Sequence, residues 1–284
     1  MFCSNYYRYI LSGLLLWASI SIADAQQRII TLSNAITETV YALGGGSTIV
    51  ATDVTSISPQ AAAKLPRVSK NRSVSAEGLL AYRPTVIVAP DGDIPVAVIQ
   101  QVRRAGVKLV TVRQEYSVKG ALAFIQDVAD AIDATAVGKK LVEKTKVDLT
   151  KVQAAVRKKT SPKVLFIYAR GTGTMSVAGK GSSLDAIISL AGGQNAVKEF
   201  ADFKPYMTEA LVSAKPDIIL MFDFGMSSLG GKDAILKMPG VRITEAGKHK
   251  RILAMDPSLL VNFSSRLPEA ITALHKAIEQ EMAK

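Results

Sequence analysis

One pattern occurs twice in this chain, and it restricts the possible folds more than any other feature. Val74 to Val88 reads Val-Ser-Ala-Glu-Gly-Leu-Leu-Ala-Tyr-Arg-Pro-Thr-Val-Ile-Val, and Tyr206 to Leu220 reads Tyr-Met-Thr-Glu-Ala-Leu-Val-Ser-Ala-Lys-Pro-Asp-Ile-Ile-Leu. Glu77 aligns with Glu209 and Pro84 with Pro216 at one constant offset. In each copy a hydroxyl residue, Ser75 or Thr208, stands where it can cap a short helix. The glutamate falls in the first turn, where the helix dipole favours a negative charge. A basic residue and a proline then stop the helix, and a β-branched apolar run follows. Such a run reads as a strand buried on both faces of a parallel sheet. One recurrence at about half the chain length predicts two similar lobes rather than a solenoid of many short units. The working site is then expected between the lobes.

The first 25 residues carry the marks of a secretory leader. Arg8 precedes an apolar run from Ile10 to Ile22, and Ala23-Asp24-Ala25 supplies the small residues at which a signal peptidase cuts. The run is shorter than the ~20 residues of a spanning helix. Cleavage after Ala25 removes the only cysteine, Cys3, and the only tryptophan, Trp17, and places no cysteine at the cut. The exported remainder is expected to be soluble in the periplasm, without a lipid anchor, its stability coming from burial rather than disulfides. The leader takes one charge of each sign, Arg8 and Asp24, so the formal net charge stays at +11. That excess could draw nucleic acid, an anionic membrane surface or an anionic small ligand. Export argues against nucleic acid. Much of the charge, Lys139, Lys140, Lys144, Lys146, Lys151, Arg157, Lys158 and Lys159, reads as the solvated face of one helix.

Strands are expected at Arg28 to Ser33, Thr48 to Asp53 and Val107 to Val112, with helices at Asn34 to Leu43 and about Pro95 to Ala105. Gly44-Gly45-Gly46 follows a helix, so it is a turn and not a phosphate cradle. Val118 to Ile132 and Thr135 to Lys159 carry helical patterns, and Val137, Leu141, Val152 and Val156 are expected to share one face. The second of these helices is expected to act as a single strut between the lobes, permitting a small hinge motion. The remainder predicts strands at Lys163 to Tyr168, Met175 to Ala178 and Arg251 to Met255. Helices follow at Ser182 to Leu190, about Lys232 to Lys237, and about Arg266 to Ala283. The fold class is therefore α/β: two similar lobes with central, mainly parallel sheets, joined by a long rigid helix. Its divisions are a leader at 1–25, a first lobe at 26–116, connecting helices at 117–160 and a second lobe at 161–284.

Catalytic patterns are missing. The sequence has no Gly-x-Ser-x-Gly elbow, no His-Glu-x-x-His helix and no P-loop, and Asp91 and Asp93 read as turn residues. With two histidines, His249 and His275, both expected at the surface, a cage of several imidazoles is excluded.

The order of elements, the run from Leu65-Pro66 to Pro84, Ala178-Gly179-Lys180-Gly181 to Asn195-Ala196, and Arg266 near the C-terminus carry a resemblance. Over nearly all the mature chain they resemble the periplasmic haemin-binding proteins of ABC importers. These belong to the helical-backbone class (class III) that also carries cobalamin and ferric siderophores. The resemblance implies a monomer that holds haemin as transported cargo, without a prosthetic group. It also implies docking of the first-turn glutamates, Glu77 and Glu209, on an ABC permease dimer of the inner membrane. One exposed carboxylate per lobe suits a two-fold partner.

At the ligand site the chain departs from the family pattern. The haemin branch has Gly-Tyr-x-Arg with an axial tyrosine where this chain has Ser69-Lys70-Asn71-Arg72, and some members have a histidine where this chain has Arg170. A lysine must lose its proton before it can coordinate, against a reference pKa near 10.4. Lys70, Arg72 and Arg170 therefore read as a cationic clamp for carboxylates. Tyr168 and Tyr206 are the replacement iron-ligand candidates, Tyr206 foremost, with Tyr82 and Tyr116 less well placed. Met175, Met207 and Met226 could wall a flat apolar macrocycle. Ligand alternatives are cobalamin or a ferric siderophore. Functional alternatives are an exported enzyme or a sensor that binds no small molecule.

Overall fold

A computed structural model describes residues 27–156 and 161–284. The leader with its cleavage point, and Arg157, Lys158 and Lys159, lie outside the described residues. In chain order the first half comprises β1 (Ile29–Thr31), α1 (Asn34–Ala42), β2 (Ile49–Thr52), α2 (Gln60–Ala63), α3 (Ala76–Leu80), β3 (Val86–Pro90), α4 (Val96–Arg104) and β4 (Lys108–Val112). Two helices follow, α5 (Val118–Ala131) and α6 (Thr135–Ala155). The second half comprises β5 (Lys163–Ala169), β6 (Met175–Ala178), α7 (Ser183–Leu190), β7 (Gln194–Asn195), β8 (Phe203–Pro205), α8 (Thr208–Ala214) and β9 (Ile218–Phe222). It ends with α9 (Asp223–Ser228), α10 (Lys232–Leu236), α11 (Glu245–Lys248), β10 (Ile252–Met255), α12 (Pro257–Val261) and α13 (Leu267–Met282).

The duplicated pattern forms α3–β3 and α8–β9. Their strands take interior positions because every side chain in the apolar runs is buried. Val86 and Val88 face the core of Ile36, Val40 and Phe124, while Ile87 and Ala89 face that of Leu79 and Val102. In β9, Ile218 and Leu220 pack with Phe166 and Ile271, and Ile219 and Met221 with Leu165 and Ile235. Alternation between two cores is what a strand covered on both faces requires. The first sheet is wholly parallel, in the order β2-β1-β3-β4. The second runs β10-β9-β5-β6-β8: its first three strands are parallel, while β6 and β8 are antiparallel to their neighbours. The α/β class with two sheets thus matches the sequence reading, and the short elements α2, β7, β8, α9, α11 and α12 are additions to it.

The two helix starts differ. Ser75 Oγ accepts from Gly78 N at 3.1 Å and caps α3, as expected. Thr208 is instead the first residue of α8, and Met207 occupies the cap position without a side-chain bond.

The connection is a helical pair rather than a single strut. Both helices touch both cores: Ala121 of α5 packs in the second half, and Phe124, Val128 and Ala129 in the first. On α6, Leu141 packs against the first core, and Leu149 and Val152 join the second. Val137 is 45% exposed, contrary to its expected inward face; the buried α6 positions include Thr145 and Leu149. The helices approach closely at Gly138, where an added Cβ would stand 2.4 Å from the Ala129 methyl. Among the described residues, no helix is long and apolar enough to cross a membrane.

A polar cluster ties the halves directly. Glu38 of α1 is 5% exposed, yet its carboxylate accepts from Asn262 Nδ2 at 2.7 Å and Arg266 Nη1 at 2.9 Å. Arg266 also donates from Nε and Nη2 to Glu269, both at 2.8 Å. Gln114 Nε2 donates to the Asn262 carbonyl beside it. The Glu269 bond, and secondarily those of Glu38, raise the Arg266 pKa against the opposing effect of burial. Arg266 therefore joins the two halves and is absent from the cavity lining.

Candidate functional site

Both sheets direct the carboxyl ends of their parallel strands into one cavity of about 1180 Å³. Ser33 and Asn34 follow β1, Asp53 follows β2, Asp91 follows β3 and Arg113 follows β4. Opposite them stand Tyr168 and Arg170 at the end of β5, Phe222 and Phe224 at the end of β9, and Pro257 and Ser258 after β10. Open α/β sheets bind ligands at this end because strand termini leave loops and helix starts free to meet a guest. The volume exceeds the ~300–1,000 Å³ of ordinary small-molecule sites.

One wall is aromatic. The Tyr168 ring lies edge-on to Phe222 at 6.2 Å and to Phe224 at 6.0 Å, and Phe222 and Phe224 are 5.5 Å apart. Arg170 Cζ sits 5.5 Å from the Phe224 ring centre, so the guanidinium rests on the aromatic face by cation–π attraction. Tyr116 also lines the cavity, edge-on to Phe263 at 5.3 Å. Burial first, then the negative charges of Asp202 and Asp93, push the Tyr116 phenol up and keep it protonated.

The charges are divided between the two sides. Lys70 and Arg72 contribute from the segment before α3, and Arg170 from the second half. None of the three makes an ion pair among the described residues. Arg113, also in the lining, pairs with Glu115 at 3.7 Å. Of the lining carboxylates, Asp53 is occupied by the Thr55 and Ser56 hydroxyls, each at 2.5 Å, leaving Asp91 and Asp93 on either side of Gly92. Asn34 is 8% exposed: its Oδ1 accepts from Ser58 N at 2.9 Å, and its Nδ2 is buried without a partner among the described residues.

Lys70, Arg72, Tyr168 and Arg170 thus converge on one cavity. Of the remaining candidates Tyr116 also lines it, and the others do not. Tyr206 N bonds the Met175 carbonyl at 3.0 Å, and both side chains pack on the core of Leu165, Ile167 and Met221. The Tyr206 hydroxyl reaches the Pro239 carbonyl at 3.5 Å, and burial raises its pKa. Edge pairing of β8 with β6 therefore turns Tyr206 away from the cavity it was expected to serve. Met226 joins that core, Met207 is 59% exposed, and Tyr82 packs with the first-half core while its hydroxyl donates to the Arg67 carbonyl at 3.1 Å. Glu77 and Glu209 are exposed in the first turns of α3 and α8. His249 is exposed, as expected, but the His275 side chain is 13% exposed and its Nδ1 lies 2.9 Å from the Ala191 carbonyl. No group of three or more metal-binding side chains occurs among the described residues. Asn34, Tyr116, Phe224 and Asn262 are lining residues that sequence reasoning missed or ranked low; the first three lie shortly after a strand end or in the helix that follows one, and Asn262 caps the C-terminus of α12.

A family model described as periplasmic binding protein matches residues 29–259. The vitamin B12-binding protein of Vibrio parahaemolyticus is 25% identical, over 76% of this chain and 78% of its own. The periplasmic heme-binding protein RhuT from Roseiflexus sp. RS-1 in apo form superposes with a TM-score of 0.85 at 33% identity, covering 90% of this chain and 99% of its own. The periplasmic heme-binding protein BhuT, in complex with two hemes, gives a TM-score of 0.85 at 37% identity, over 90% of this chain and 98% of its own.

Proposed function

The chain belongs to the periplasmic binding protein family, and on that premise we propose that it captures haemin between its two sheets and delivers it to an ABC permease. Its relatives bind substrates for transport and are not enzymes. The observation that carries the haemin reading is the cavity itself. It is larger than an ordinary small-molecule site, has an aromatic wall of Tyr168, Phe222 and Phe224, and holds unpaired cations on both sides. A flat macrocycle bearing propionates matches that combination of apolar wall and unpaired positive charge. The solved relatives named as heme-binding support the same choice.

In this reading the chain is exported, cut after Ala25 and works as a periplasmic monomer. Its lobes comprise residues 26–116 and 161–284, with 117–160 between them. Glu77 and Glu209 engage one permease subunit each. The vitamin B12-binding relatives favour a second ligand, a corrinoid. A corrinoid carries amides and one phosphodiester in place of free carboxylates, so it makes less use of Lys70, Arg72 and Arg170. Titration with haemin, cobalamin and ferric chelates, followed by absorbance, separates the readings. A haem Soret shift at a fixed stoichiometry is expected. Saturable binding of cobalamin without response to haemin would replace haemin with the corrinoid.

A further inference from the structure

Iron recognition and carboxylate recognition require different side chains, and this cavity is supplied unequally with the two. Among its lining residues there is no histidine or cysteine. Lys70 is exposed, and a lysine amine must give up a proton before it can coordinate iron. Tyr116 has its ring edge-on to Phe263 at 5.3 Å, and the nearby charges of Asp202 and Asp93 add to desolvation in raising the cost of the phenolate that ferric iron binds. Tyr168 has its ring edge-packed against Phe222 and Phe224, which makes it part of the apolar wall. Asp91 and Asp93 are exposed on a turn and repel an incoming propionate rather than attract it.

Donors suited to a carboxylate are present on both sides. Lys70 and Arg72 stand on one side and Arg170 on the other, each without an ion-pair partner among the described residues. Asn34 adds a buried, unpartnered Nδ2 at the start of α1. Helix α1 has nine residues, and since Ser33 Oγ accepts the Ile36 amide, only the amides of Asn34 and Ala35 in its first turn lack a partner of that kind.

Resting on the tetrapyrrole reading above, we infer that this protein recognises its cargo by the acid side chains and the flat ring, not by the metal. Iron-free porphyrin acids are therefore ligands on equal terms with haemin. Binding needs no bond to iron. It needs carboxylates on an edge of the ring that can meet the unpaired cations Lys70, Arg72 or Arg170.

The test titrates the exported chain with haemin, protoporphyrin IX and protoporphyrin IX dimethyl ester, read by Soret absorbance and by thermal shift. Protoporphyrin IX is expected to bind within about threefold of haemin. The diester is expected to bind at least about tenfold more weakly, the loss that accompanies a missing charge-assisted bond. The double variant Arg72→Gln, Arg170→Gln, checked for native circular dichroism, is expected to lose most of the preference for acid over ester. If haemin binds and protoporphyrin IX is at least about tenfold weaker, the inference fails and the haemin assignment stands. A phenolate-to-iron charge-transfer band in bound haemin has the same meaning. If no tetrapyrrole acid binds, the inference and the haemin reading fall together.

Discussion

At the scale of single residues, the cavity lining separates cations left without an ion-pair partner from groups that hold the molecule together. Arg72 and Arg170 have no ion pair among the described residues, so their charges remain available to a ligand. Arg72→Ala should weaken an anionic ligand by about 1.5–3 kcal/mol, measured by titration, without changing thermal stability. Unchanged affinity would remove Arg72 from the site. Glu38 acts in the opposite way, since its buried carboxylate is already satisfied by Asn262 and Arg266. Glu38→Gln should lower the free energy of urea unfolding by about 1.5–3 kcal/mol, because hydrogen bonds to a charged group are lost in a buried setting. A loss below about 0.5 kcal/mol would show the cluster to be ornamental. The sequence made Lys70, Arg72, Tyr168 and Arg170 legible because they stand beside strand ends or the duplicated helix. It misled at Tyr206, whose distance from the cavity depends on an edge pairing that no local pattern announces. It also gave Arg266 to the ligand, because a charge near a binding region carries no mark of the distant partner, Glu38, that occupies it.

At the scale of elements, what was legible is what is periodic. Strands β3 and β9 and helix α5 carry apolar repeats long enough to declare both type and burial, whereas α6 declares its type alone, its buried positions being Gly138, Thr145 and Leu149. β8 is three residues long with every residue exposed, so its sequence has neither alternation nor an apolar run. Its existence is decided by β6, not by its own residues. The α5–α6 pair shows a further limit: the helices were readable, but the close contact of Gly138 with Ala129 was not, since it depends on how the two axes pass. Gly138→Ala is therefore a discriminating substitution. In an isolated helix it would gain about 1 kcal/mol of propensity. Here the new methyl would meet Ala129 at 2.4 Å, and overpacking of this kind costs about 1–3 kcal/mol. A lower melting temperature is expected, and a higher one would mean that the two helices separate more easily than their packing indicates.

At the scale of the whole molecule, the contacts that join the two sheets include the paired helices α5 and α6, the Glu38–Asn262–Arg266 cluster, Gln114 on the Asn262 carbonyl, and the Tyr116 ring on Phe263. Asn262 also lines the cavity, so the floor of the site and the joint between the halves share a residue. The opening is accordingly expected to vary little, with ligand entry governed by the loops at its rim. Helices α5 and α6 each deposit apolar side chains in both hydrophobic interiors, so neither interior can be dismantled without exposing part of the other. Two sheets would ordinarily suggest two separate melting events. Here calorimetry should record one endotherm, with calorimetric and van't Hoff enthalpies in agreement. For a member of a periplasmic binding protein family, that shared fate removes the half-unfolded species in which proteolytic cleavage would begin.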